Sequence, residues 1–419
     1  MSSLVSLLRK RMKTVESART RAIIYIVAGL QLISWGTGFY VFGLTLVPIE
    51  HDLGLSRSSA SLAFPLALLF EGLCAVLVGR WIARGQGAYV LSGGSLLMGV
   101  GLAVLSQANT LLQFKVAWVL IGASFACTLY TPLFSLIATE FPTTYREKIT
   151  VISLVTGFSS TLFLPIGGWL IAEVGWRDCL LIYSALNIFL CAPGYFLALS
   201  AIRPSPSSST IVASESYSES SVGRGTAHRR LKIYVCLAVF TSAIGALSST
   251  VAAHLIPMLT ERGLASHTAL LAPAAIGALQ TFARVPMLLG TMEGRIHQFN
   301  LGLILLFPAA ILMLYFSGMS VALLVCFVVL YGVAHGGWTI VRATAVPQYL
   351  GTQGAAIWNG KIALWATGGR IALPALVALL WTPSQGYSYG YWALMFVSGL
   401  GFIAYALAQK TYFADKLIS

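Results

Sequence analysis

Long apolar runs return roughly every 25 to 35 residues along this chain, each long enough at 1.5 Å per residue to cross a hydrocarbon layer about 30 Å thick. They lack the period-two alternation that a barrel wall needs, so they read as helices. The spans fall at approximately 22–47, 59–79, 88–106, 112–139, 148–171, 177–200, 231–256, 268–290, 298–317, 320–346, 356–381 and 388–410. Only 9% of residues are charged and 57% are hydrophobic, against about a quarter charged in a soluble domain. The expected fold is an all-α membrane protein of twelve transmembrane helices.

A net charge of +13 would point to nucleic acid if the basic residues formed one soluble face. Here they follow topology instead. With both termini inside, eighteen Lys and Arg fall on inner segments and four, Arg57, Lys115, Arg177 and Arg262, on outer ones. This positive-inside bias places both termini in the cytosol and leaves no nucleic-acid partner, only the lipid bilayer. Residues 1–21 form a basic tail with no apolar core, so no cleavable secretory signal is read there. The six cysteines, Cys74, Cys127, Cys179, Cys191, Cys236 and Cys326, are scattered without a C-x-x-C pair and read as small apolar residues rather than metal ligands.

The Ser-rich stretch within 201–230 is too polar to build a core and reads as a flexible cytosolic linker. It separates a six-helix bundle, 22–200, from a second, 231–411, with a short tail at 412–419. Shifting the sequence by 209 residues places Pro48 on Pro257, Gly54 on Gly263 and Leu55 on Leu264. Six spans per half is an even number, so the repeats are parallel. A path between them runs near the bilayer midplane.

With these features the chain resembles the major facilitator superfamily over essentially its whole length. The segment G-R-W-I-A-R-G-Q-G from Gly79 sits where that family has Gly-x-x-x-Asp-Arg-x-Gly, with Arg84 kept and Ala83 in the acidic place. The matching loop from Gly290 keeps an acid at Glu293. A-H-L-I-P-M-L-T-E-R-G-L from Ala253, A-L-Q-T-F-A-R-V-P from Ala278 and G-W-R from Gly175 are similar to the monocarboxylate and oxalate/formate branch and its bacterial relatives. In animal monocarboxylate carriers the eighth span carries Asp-x-x-x-Arg; here Gln280 replaces the acid and Arg284 keeps the arginine. The resemblance implies that Arg284 binds a substrate carboxylate, that Arg84 and Glu293 act in gating, and that the membrane is a bacterial inner membrane.

Ionised groups in mid-membrane are expensive unless they face protein or water, so each carries a functional hypothesis. Glu71, Arg284 and Arg370 are placed deep. Arg342 and Lys361 lie close enough to the cytosolic face to snorkel, and Arg342 is a gating candidate. Arg284 and Arg370, with Gln280 beside the first, are the candidate substrate ligands; an ion pair or gate is the alternative for Arg284. Glu71 and His335 are candidate proton carriers, against a permanent ion pair for Glu71 and glycine-mediated helix packing for H-G-G-W at His335. His254 reads as a gate or a satisfied interfacial residue. Trp35, Tyr40 and Tyr130 are further candidate substrate-binding residues on the opposite wall, the alternative being a place at the membrane interface as aromatic residues take.

The expected function is secondary active transport of a small organic anion, a monocarboxylate in the first instance, by symport or antiport, with protons as the candidate coupling ion. The alternative is an exporter of neutral or cationic amphiphilic compounds, which would favour buried carboxylates over arginines. No H-E-x-x-H, G-x-S-x-G or P-loop is present, so neither an enzyme nor a cofactor is expected.

Overall fold

The computed structural model describes residues 2–141, 144–202, 224–284, 296–350 and 355–416, and almost all of them are helical. Among them ten segments are long and apolar enough to cross a membrane. One, Glu147–Ser200, has 54 residues, more than twice the roughly 20 a bilayer requires. It reverses at Gly175 (φ 81, ψ 166), a conformation a side chain rarely permits. That segment supplies two crossings. The twelfth is the 17-residue helix Ser266–Phe282; it ends in a turn at 283–284, short of the expected 268–290, and residues 285–290 lie outside the described set.

The first crossing comprises α1 (Ser2–Ser34), a π-helical turn (Trp35–Phe39) and α2 (Val41–Leu53). Ser56 accepts from the Ser59 N–H to start α3 (Arg57–Ser61), which leads into α4 (Ala63–Ala83) and α5 (Gly87–Ser106). The fourth crossing is the broken pair α6 (Leu111–Thr128) and α7 (Tyr130–Glu140). Then come α8 (Tyr145–Thr156), α9 (Ser159–Ala185), a second π turn (Leu186–Cys191) and α10 (Ala192–Ser200). The second half holds α11 (Arg224–Glu261), α12 (Ser266–Phe282), α13 (Ile296–Phe316), α14 (Val321–Leu350), α15 (Ala355–Leu380) and α16 (Ser388–Lys416).

The internal repeat is visible in the backbone. Gly54 (φ 61) and Gly263 (φ 86) both take the left-handed conformation that ends the first helix of each half. Pro48 and Pro257 both lie inside that helix. Each half also encloses its own core, around Phe42, Phe64 and Trp118 in the first and Phe240, Phe307 and Phe327 in the second. The outward faces expose Tyr89, Phe189, Leu197, Trp365 and Phe396, a girdle suited to lipid rather than water.

Two expected tails and part of the linker are helical. Residues 2–21 belong to α1, 224–230 to α11 and 412–416 to α16. Leu, Lys and Arg are good helix formers, and none of these stretches contains proline, so nothing stops a neighbouring span from continuing.

Candidate functional site

A cavity of about 730 Å³ lies between the halves. Its first-half wall is built by the π turn W-G-T-G-F. A Cβ on Gly36 would collide with Phe163, and one on Gly38 with Met98, so the tight turn requires both glycines. Thr37 donates to the Ile33 carbonyl and accepts from Asn187 of the second π turn at 2.8 Å, which pins the two turns together. The inserted residue of such a turn re-aims the side chains around it. Trp35, Phe39 and Tyr40 all reach the cavity, as does Tyr130. Ring centroids of Trp35 lie 4.8 Å from Phe39 and 4.7 Å from Tyr130, and Tyr130 stacks on Phe134 at 4.8 Å.

The opposite wall is polar and cationic. Tyr331, His335, Trp338 and Arg342 recur at helical spacing along one face of α14 and line the cavity with Gln280, Arg284 and Arg370. His335 Nδ1 lies 2.6 Å from Gln280 Oε1, and its ring stacks on Tyr331. Gln280 Nε2 donates across the halves to the Gly157 carbonyl at 3.3 Å. Glycine packing at H-G-G-W is real: a Cβ on Gly336 would strike the backbone of Gln280, and one on Gly337 would strike Leu303.

Arg284 sits in the turn after α12 rather than within a longer helix, where its charge complements the helix C-terminus. It is 7% exposed. Nη1 donates to the Ser153 carbonyl of the other half at 2.9 Å and Nε to the Gly336 carbonyl at 3.4 Å. Among the described residues no carboxylate pairs with it.

Arg370 differs. Its two terminal nitrogens meet both oxygens of Glu71 at 3.1 and 3.4 Å, a fork across the halves. Its backbone is also tied. Pro374 has no N–H to give to the Arg370 carbonyl, and Ser249 Oγ donates there instead, at 3.0 Å. The 209-residue shift also sets Glu71 on Gln280, yet the partner of Glu71 in space is Arg370.

The other candidates separate by position. Arg342 lines the exposed part of the cavity, its guanidinium 5.7 Å from the Trp338 ring. Lys361 is exposed beside Trp358 and does not line it. Arg84 ends α4 on the surface, apart from the cavity. Glu293 lies outside the described residues.

A cluster missed in the sequence closes one end of the cavity, here named the Arg57 end; the Arg84 end is opposite. Arg57 Nε donates to Glu50 Oε2 at 2.6 Å, and its Nη1 lies 3.7 Å from Glu261 of the second half. Its guanidinium sits 5.6 Å from the Trp381 ring and 6.0 Å from Tyr387, and Trp381 Nε1 donates to Glu261 at 2.9 Å. His254 is fully buried. Its Nε2–H donates to the Pro374 carbonyl at 3.3 Å, which leaves Nδ1 of the neutral ring to accept from the Tyr387 hydroxyl at 3.2 Å. Burial keeps Tyr387 above the ordinary phenol range, so its proton stays to be donated. The available sequence signal was that Glu50, Arg57 and Glu261 are charges on matching loops of the repeat.

The lining is asymmetric. Leu164, Val251, Leu255 and Ile256 are buried toward the Arg57 end, while Leu73, Val76, Gly79, Arg342 and Leu364 are exposed toward the Arg84 end. The cavity is shut at the first and open at the second.

The family model described as Major Facilitator Superfamily matches residues 26–374. Similar solved structures include a D-xylose-proton symporter (16% identity, TM-score 0.70, 93% of this chain and 96% of that one). A bacterial homologue of the human lysosomal transporter Spinster, inward-facing and occupied, matches at 16% identity and TM-score 0.63 over 94% of this chain and 96% of that one. The nucleoside transporter NupG matches at 15% identity and TM-score 0.64 over 94% and 99%. No protein of curated function matches the sequence significantly. The chain is a multi-pass membrane transporter and belongs to the Major Facilitator Superfamily.

Proposed function

We propose that this transporter carries a small organic anion, a monocarboxylate in the first instance, by exposing the central cavity to the two sides of the membrane in turn. One observation carries the reading: Arg284 is buried in the cavity wall with carbonyl partners but no carboxylate among the described residues. A guanidinium so placed attracts an anion more strongly than it would in water, and its planar fork fits a carboxylate. Glu71 already neutralises Arg370, so among the described lining residues Arg284 is the buried cation without a carboxylate, while Arg342 lies at the exposed end. The likeness of the Ala253 and Ala278 segments to monocarboxylate carriers supports the same choice.

With the termini cytosolic, as the basic residues argue, the Arg84 end faces the cytosol and the described state is inward-open. Protonation of Glu71 would release Arg370 and couple the cycle to protons; His335, bonded to Gln280, is the second candidate. Glu71→Gln should then abolish accumulation driven by a pH gradient while substrate-for-substrate exchange persists, and an unchanged pH dependence would remove Glu71 from coupling.

The deciding measurement is flux of labelled monocarboxylates in proteoliposomes. Arg284→Lys should retain weak transport, since charge survives without the fork, and Arg284→Gln should lose roughly 100-fold, the loss of one charge-assisted pair, while inserting normally. Normal anion flux in Arg284→Gln would favour the alternative, an exporter of neutral or cationic amphiphilic compounds. The xylose and nucleoside substrates of the solved neighbours keep neutral cargo as the comparison arm.

A further inference from the structure

We infer that the anion is an aryl carboxylate, its carboxylate on Arg284 and its ring against Trp35 and Tyr130; this rests on the anion reading above. Size comes first. At roughly 30 Å³ per water, a cavity of about 730 Å³ has room for about two dozen waters. An acetate-sized ligand would leave nearly all of that space wet and most of the walls untouched. The volume falls among pockets that enclose ligands with a substantial apolar body, roughly 300 to 1,000 Å³.

The character of the walls comes second. Trp35, Phe39, Tyr40, Phe125 and Tyr130 line the first half and Tyr331 and Trp338 the second, while the three lining arginines all belong to the second half, so a ligand reaching across from Arg284 meets the larger ring surface on the first-half side. The two features also adjoin. The Tyr40 and Tyr130 phenols lie within electrostatic reach of the Arg284 charge. A carboxylate on Arg284 therefore has Tyr130 as its neighbour, with Trp35 4.7 Å beyond between ring centroids.

Rigidity comes third. Gly36 and Gly38 admit no side chain, and the Thr37–Asn187 bond fixes the turn that presents Trp35. A preformed ring surface loses little freedom on binding a planar ligand, and offset or edge contacts between rings favour it over an aliphatic body of equal size.

The test uses the full chain in proteoliposomes with four probes: benzoate, cyclohexanecarboxylate, acetate and benzamide, each measured by thermal stabilisation and by competition against labelled benzoate. Benzoate should bind about tenfold more tightly than cyclohexanecarboxylate and more tightly still than acetate or benzamide. Trp35→Leu should erase most of the benzoate preference, weakening benzoate about tenfold more than acetate, and Trp35→Phe, which keeps a ring in a fold less disturbed, should retain it. Cyclohexanecarboxylate or acetate binding as well as benzoate overturns the aryl inference and leaves the anion reading standing. Benzamide matching benzoate, or no carboxylate binding at all, overturns both.

Discussion

Two of the seams along which the halves meet are of opposite character. At the Arg57 end the contact is made by charges and rings, with Arg57 held between Glu50 and Glu261 beneath Trp381 and Tyr387. Between α9 and α12 it is made by small residues. Thr161 Oγ1 donates to the Ala274 carbonyl at 2.7 Å, Gly277 lies against Ser160, and Gly157 against Thr281. Water can replace each bond of the first seam as it separates. It cannot replace the close packing of the second, where parting the backbones forfeits dispersion contacts along the whole line. The first seam is therefore expected to open during the cycle and the second to persist as the pivot.

The sharpest way to break this comparison is to thicken the pivot. Gly277→Leu places a branched side chain where a Cβ alone would collide with Ser160 and Thr161. Overpacking of this kind costs about 1–3 kcal/mol, and at a pivot it also displaces both walls of the cavity. Transport in proteoliposomes should fall to background with a lower Tm, and Gly277→Ala should lie between. Wild-type flux in Gly277→Leu would show that the small-residue seam is not a pivot.

Arg57→Gln tests the other seam and should shift the balance between open and shut forms rather than abolish transport. It leaves Glu50, whose side chain is 9% exposed, without its cation, and an uncompensated buried charge costs about 3–5 kcal/mol. Opening the Arg57 end lets water reach that carboxylate, so the variant should favour the open form. A cysteine at Ala252, which lines the cavity near that end, should react at least about tenfold faster with an impermeant reagent applied from that side. Glu50→Gln combined with Arg57→Gln should restore much of the protection. An unchanged labelling rate would mean that the clamp does not hold the end shut.

The same contrast marks where sequence reasoning succeeded. Spans, repeat and cavity residues were legible because a membrane leaves few solutions. Backbone groups must be satisfied within a helix, and polar residues such as Gln280 and Glu71 within a span need a protein or aqueous neighbour. Gly54 and Gly263 announced a matching left-handed turn. Pairing was not legible. Glu71 meets Arg370 nearly 300 residues away, and Arg57 meets Glu261 and Trp381, because such contacts depend on how the halves dock rather than on local spacing. The π turn was hidden as well, since W-G-T-G-F fits an ordinary helix until Phe163 and Met98 press against its glycines. Arg84 was weighted by its loop motif, but the end of α4 carries it onto the surface.

The smallest expected effect concerns a bond that belongs to neither seam and tests whether each half moves as one body. Ser249 Oγ joins α11 to α15 at the carbonyl that Pro374 leaves without its helical partner. Ser249→Ala removes one hydrogen bond and leaves that carbonyl to the cavity, a loss of about 1 kcal/mol. Because α11 and α15 lie in the same half, a rigid half keeps Arg370 opposite Glu71 after the loss. Tm should then fall slightly, transport should change less than about fivefold by the same arithmetic, and the pH dependence should be that of the wild type. If Ser249→Ala shifted the pH dependence toward that of Glu71→Gln, the Arg370 fork would be held by a bond internal to its half. The two-seam account would then need a third moving contact between α11 and α15.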